Sequence, residues 1–248
     1  MELRAFVLHA DRDGDARAQA RRVLDACGVD GELWPMVQGA GLSVSDLEQT
    51  VGADLFEPAY PLSLDTGEIG RFLTHRQIWA EIERRGLDAA LVLDGATGID
   101  PDPFDDALDL GLSHVTALGY IELRDHPCPG PSALIDTQRH ATLTVPQQAT
   151  GRTAAQLVGH EAAAHLLALS DLFDRPMETF VHSHWHTGLR PASIQPCGVI
   201  APPPLAQATP PSGVWPRMRY DLAQRRYLHL ISQRAQVSAA PATGGFIS

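Results

Sequence analysis

Thr66-Gly-Glu-Ile-Gly-Arg-Phe-Leu-Thr-His-Arg-Gln-Ile-Trp79, continued by Arg85-Gly86 and then Ala89-Ala-Leu-Val-Leu-Asp94, carries the clearest fold signal in the chain. Ile69, Phe72, Leu73, Ile78, Trp79 and Ile82 recur near helical spacing. Thr66 can cap this helix, Glu68 lies in its first turn, and Arg85-Gly86 ends it. The next run is wholly apolar, as strands buried between helical layers are. A helix delivering such a strand argues for an α/β sheet.

Working outward, Leu3 to His9 reads as a buried first strand, followed by a polar turn over Asp11 to Asp15. Ala16 to Cys27 has helical character, with Gly28 as its stop. Leu33 to Val37 is a weaker strand that Pro35 confines to an edge or a loop. Past Asp94, a short helix is expected from Asp100 to Asp109, and His114 to Leu123 would return to the sheet. Pro127, Pro129 and Gly130 break structure, Ala141 to Val145 is a short strand, and Arg152 to Leu169 is a second clear helix. This alternation predicts an α/β fold with a mostly parallel central sheet flanked by helices. Residues 1–200 form one domain, 201–216 a proline-rich linker or wrapping segment, and 217–248 a C-terminal helix and tail.

The chain has 248 residues, 44% of them hydrophobic, enough to bury a sizeable core. Its net charge of -11 argues against general binding to a phosphate backbone, so no nucleic-acid partner is expected. All 19 basic residues are arginine. That removes a Schiff-base lysine and the lysine of a phosphate-binding loop, leaving Arg, backbone N–H groups or a metal to hold any phosphate. Cys27, Cys128 and Cys197 are too scattered for a disulfide framework. The first apolar run is strand-sized and no run reaches bilayer length, so a reduced, cytoplasmic setting is expected.

Three constellations could carry chemistry. Asp94, with Gly95 and Gly98 behind it, ends a buried strand where open α/β sheets place ligands, or it simply fixes the turn toward Pro101. His182-Ser-His184-Trp-His186 could bind a transition metal whether it folds as strand or helix, or could be a histidine-rich cleft edge. Arg12 and Arg17 follow the first strand, while Arg71, His75 and Arg76 lie on the helix from Thr66. Arg71 and His75 share a helix face, and arginine there suits a diphosphate. Ser183 lacks the glycines of a nucleophile elbow.

The Gly67-Glu-Ile-Gly-Arg-Phe-Leu-Thr-His75 helix followed by Ala89-Ala-Leu-Val-Leu-Asp94 resembles the family 25 glycosyltransferases, which include lipopolysaccharide-type sugar transferases and collagen galactosyltransferases. Phe6-Val-Leu-His-Ala-Asp-Arg12 is similar to the family's first strand, with His9 where an asparagine is usual. Gly151-Arg-Thr-Ala-Ala-Gln156 resembles the segment that closes the donor side, Pro176-Met-Glu178 stands where the family has proline, an apolar residue and aspartate, and Ile194-Gln-Pro196 looks like its final strand. The resemblance implies a GT-A-like fold and transfer of a hexose from a uridine diphosphate sugar to a glycan or lipid-linked acceptor, usually with manganese. It implies Asp94 and Glu178 as catalytic residues, and Arg12, Arg17, Glu68, Arg71, His75 and Thr153 as substrate-binding residues. One departure stands out: where the family carries Glu-Asp-Asp, this chain has Asp94-Gly95-Ala96. Two carboxylates are gone, so manganese binding is expected to be weakened or lost unless Asp94 and His184 share the ion.

Three readings follow. The chain is a hexosyltransferase with displaced metal ligands or none, an inactive relative that binds a sugar, nucleotide or protein, or an unrelated α/β enzyme. Arg217 to Arg234 is a basic helix that could lie on an anionic membrane, pair with a second subunit or partner protein, or pack on the domain; packing is expected, because the acidic domain would be repelled by anionic lipid.

Overall fold

The computed structural model describes residues 1–10, 13–201, 214–237 and 245–246. Its strands are β1 (Leu3–His9), β2 (Gly31–Pro35), β3 (Ala89–Asp94), β4 (Gly98–Ile99), β5 (Tyr120–Leu123), β6 (Ser132–Gln138), β7 (Ala141–Pro146), β8 (Ala155–Gly159), β9 (Leu189–Arg190), β10 (Ala192–Gln195), β11 (Val199–Ile200) and β12 (Gly245–Phe246). Its α-helices are α1 (Gly14–Ala26), α2 (Val44–Thr50), α3 (Thr66–Arg85), α4 (Pro101–Leu118), α5 (His160–Leu169), α6 (Met177–His182), α7 (His184–Thr187) and α8 (Val214–Val237). Most of the proline-rich segment expected at 201–216 and most of the tail lie outside the described residues.

The expected mostly parallel sheet is overturned. Eight strands lie in the order β2-β1-β3-β8-β5-β10-β7-β6, and two further two-stranded sheets stand apart. β1 runs parallel to β2 and β3, and β5 to β10. The other four pairings, β3–β8, β8–β5, β10–β7 and β7–β6, are antiparallel. The result is an α/β fold on a mixed, mostly antiparallel sheet.

One segment causes half of the difference, two of the four antiparallel pairings. The apolar residues of Ala155–Gly159 read as the start of a helix running to Leu169, yet they form β8, and α5 begins only at His160. All five residues of β8 are buried between β3 and β5. A short apolar run of this kind carries no period that separates strand from helix. At the exit from β8 the chain packs closely on α4: a Cβ on Gly159 would stand 3.1 Å from the Val115 carbonyl oxygen. The second cause is the β6–β7 hairpin, turned at Arg139 with φ 52.

Elsewhere, α4 continues eighteen residues to Leu118, where Gly119 (φ 74) ends it, so only Tyr120–Leu123 returns to the sheet. In α3 the cap is Asp65, not Thr66: its carboxylate accepts from the Glu68 amide and Glu68 reaches back to the Asp65 amide. Strand side chains alternate between two cores. Ala5, Val7, Leu91, Leu93, Ile121 and Leu157 join residues of α1 and α4. Phe6, Leu8, Ala90, Val92 and Val158 join residues of α3, α5 and α6 on the other face. α8 packs by Tyr227 and Ile231, with the Tyr227 ring edge-on to Tyr60 at 5.4 Å, and leaves Leu222 and Leu228 exposed. No helix among the described residues is long and apolar enough to cross a membrane.

Candidate functional site

The second of these faces turns polar where β1, β3 and β5 end. Asp94 follows Ala90 and Val92 on the α3 side of β3, and Glu122 follows Tyr120 on the same side of β5. Gln156 of β8 lies between them, paired in register with both Val92 and Glu122. The carboxyl ends of parallel strands are where open α/β sheets hold ligands.

α3 and α6 cover this end and bring Arg71 and Glu178 together. Arg71 Nε donates to Glu178 Oε1 at 2.7 Å, its Nη2 donates to the Thr153 carbonyl at 3.4 Å, and its Nη1 lies 3.9 Å from Asp94 Oδ2. Burial pushes the Arg71 pKa down, but Glu178 and Asp94 outweigh it and the net shift is upward. For Glu178, burial pushes up, while Arg71 and then Arg152 pull its pKa below the ordinary value. Arg152 Nε stands 3.6 Å from Glu178 Oε1, and its side chain is 51% exposed. His75, one turn beyond Arg71, accepts from Gln156 Nε2 on Nδ1 at 3.1 Å. Burial, reinforced by Arg71, lowers its pKa to about 3, so it is a neutral imidazole.

A second network adjoins the first through Thr153. Its Oγ1 donates to Glu122 Oε1 at 3.0 Å, the same oxygen that accepts from His182 Nε2 at 2.7 Å. Arg124 Nη1 donates to Glu122 Oε2 at 2.7 Å. Burial alone would raise the Glu122 pKa, yet His182 and Arg124 together hold it at about 2. The sequence reading missed Glu122, Arg124 and Arg152. Glu122 had a signal: a carboxylate inside Tyr120-Ile-Glu-Leu123 would be buried, and buried carboxylates are paired.

Of the residues expected at a site, the structure brings together Asp94, Arg71, Glu178, Thr153 and His75. Glu68 is half-buried at the edge of this cluster, and much of its role is the capping box with Asp65. Arg17 is exposed on the first turn of α1, and Arg12 lies outside the described residues. Arg76 pairs instead with Asp171 at 2.9 Å. His184 is not brought to Asp94: its Nε2 accepts from Arg190 Nη2 at 2.9 Å.

Manganese does not fit the donor set. Among the described residues no group of three or more His, Cys, Asp or Glu side chains is placed to hold an ion. Asp94 is engaged on both oxygens, Oδ1 accepting from the Ala96 amide at 3.0 Å and Oδ2 facing Arg71. Gly95 has no room for a replacement ligand. A Cβ there would lie 2.3 Å from the Leu8 carbonyl oxygen and 2.7 Å from the Ala20 Cβ. The close approach of β1 and α1 requires glycine where the resembled family has an acid.

No protein-family model matches the chain. It is 29% identical to a glycosyltransferase 25 family member of Drosophila melanogaster over 102 residues, 40% of this chain and 16% of that protein. It is 31% identical to procollagen galactosyltransferase 1 of Danio rerio over 93 residues, 36% of this chain and 15% of that one. It is 32% identical to a probable inactive glycosyltransferase 25 family member 3 of Bos taurus over 93 residues, 36% and 16% of the two chains. The matched stretch thus spans about a sixth of these relatives' lengths. A solved structure of mannose-1-phosphate geranyltransferase from Thermus thermophilus overlays with TM-score 0.38 and 12% identity over 78% of this chain and 74% of that one, a likeness too slight to carry an argument. Over some two fifths of its length, the chain is a distant homologue of the family 25 glycosyltransferases.

Proposed function

We propose that this chain is a catalytically inactive relative of the glycosyltransferases that binds a nucleotide sugar at the carboxyl ends of β1, β3 and β5. The observation that carries this reading is the packing at Asp94-Gly95: the remaining acid is tied to its own turn and to Arg71, and Gly95 is walled by Leu8 and Ala20. A divalent ion on a diphosphate needs several hard oxygen ligands from the protein, and one engaged carboxylate does not supply them. Glu178 is equally ill-suited as a base, because an efficient one has a pKa near the working pH, whereas Arg71 and Arg152 pull Glu178 down. Binding is favoured over inertness by Arg152, whose half-exposed guanidinium at the strand ends suits a diphosphate oxygen. The distant relatives include both a galactosyltransferase and a probable inactive member, so the lineage accommodates either outcome.

The test is calorimetric titration with uridine diphosphate galactose and glucose, followed by product analysis with free sugars and glycan acceptors. Saturable binding without transfer is expected, weakened tenfold or more by Arg152→Ala. Transfer above the uncatalysed background would overturn inactivity. No binding of any nucleotide sugar would overturn the proposed ligand.

A further inference from the structure

Four arginines are buried among the described residues: Arg71, Arg124, Arg175 and Arg190. Three of them have a carboxylate at 2.7 Å, namely Glu178, Glu122 and Asp174. Arg190 has none. Its side chain sits on β9 beneath α7, the residue is 1% exposed, and its Nε and Nη1 are buried without an acceptor among the described residues. The one partner it has there is His184, whose Nε2 accepts from Nη2. Burial, followed by Arg190 itself, lowers the His184 pKa to about 4, so this imidazole is neutral and contributes no countercharge. Among the described residues no acid acts on Arg190 either: burial pushes its pKa downward.

A guanidinium does not escape this position by losing its proton. A buried charge without a partner is among the most costly arrangements a fold can hold, and in other proteins such charges are paired or coordinated. The Arg190 guanidinium is also oriented, because His184 fixes Nη2 and leaves Nε and Nη1 as donors. We propose that Arg190, held by His184, is the seat of a site for a small oxyanion, the phosphate or carboxylate group of a ligand. Oxygen anions make short charge-assisted bonds to such N–H groups. Among the described residues no hydrogen bond or ion pair joins Arg190 to the Arg71–Glu178 cluster, so the inference stands whether or not a nucleotide sugar binds there.

The experiment is thermal unfolding of the full chain in sodium chloride, with sodium phosphate or sodium acetate added at matched ionic strength. The expected result is a midpoint raised by about 4 °C in at least one oxyanion and unchanged in Arg190→Met. A rise in phosphate alone identifies a phosphate-type ligand, and a rise in acetate alone a carboxylate. Arg190→Gln replaces the methionine variant if that one does not fold. No rise over chloride in the unsubstituted chain, or an equal rise in the variant, overturns the site.

Discussion

Arg71 and Arg190 are two buried guanidiniums in one molecule with opposite surroundings. Arg71 lies against Glu178 at 2.7 Å and Asp94 at 3.9 Å, while Arg190 meets only a neutral imidazole among the described residues. In the first region the fold supplies its own countercharges and ties the two acids and the arginine into one ion network. In the second it leaves a charge for something else to neutralise. The difference teaches that charge at the end of a sheet is not by itself a sign of chemistry: what counts is whether the partners are already inside the chain.

The comparison breaks most visibly at Arg71. Arg71→Met leaves Glu178 and Asp94 facing each other without their shared cation, and the expected loss is about 3–5 kcal/mol in urea unfolding. Glu122→Gln strips a charged acceptor from His182, Arg124 and Thr153 together, and about 2–3 kcal/mol should be lost by the same measurement. Arg190→Met, in chloride alone, is expected to cost under about 1 kcal/mol, because it removes a charge that no described residue balances. A cost at Arg190 equal to that at Arg71 would erase the contrast.

Acid sharpens the same picture. His75 and His184 have folded pKa values depressed to about 3 and about 4 by burial and by a neighbouring arginine. The unfolded chain therefore binds their protons first, and stability should fall as pH drops from about 6.5 toward 4, by roughly 1.4 kcal/mol per pH unit for each. Glu122, depressed to about 2, contributes stability above its ordinary carboxylate pKa that is lost as pH falls from there toward 2. Unfolding at stepped pH should show a shallower slope between 6.5 and 4 in His75→Gln.

β1 and α3 were legible because their signals are local. Leu3–His9 is strand-like over its whole length, and α3 carries an apolar stripe with Glu68 in its first turn and Gly86 (φ 67) after it. β8 was not legible. Ala155-Gln-Leu-Val-Gly159 has no period of its own, and its direction is set by β3 and β5, both well upstream in the sequence. That strand and the β6–β7 hairpin together turned an expected parallel sheet into a mixed, mostly antiparallel one. The pairing of Arg71 with Glu178 likewise spans 107 residues, so sequence nominates each residue but not the ion pair. The missing acids at Gly95 and Ala96 were plain from sequence. The wall of Leu8 and Ala20 that keeps Gly95 small required coordinates.

Because no group of three or more His, Cys, Asp or Glu side chains among the described residues is placed to hold an ion, the manganese dependence of uridine diphosphate galactose affinity is the measurement that bears most directly on the site. The same dissociation constant is expected with and without manganese, within twofold, and no further change in manganese response in Asp94→Asn. Affinity that rises tenfold or more with stoichiometric manganese, and loses that gain in Asp94→Asn, would contradict that expectation.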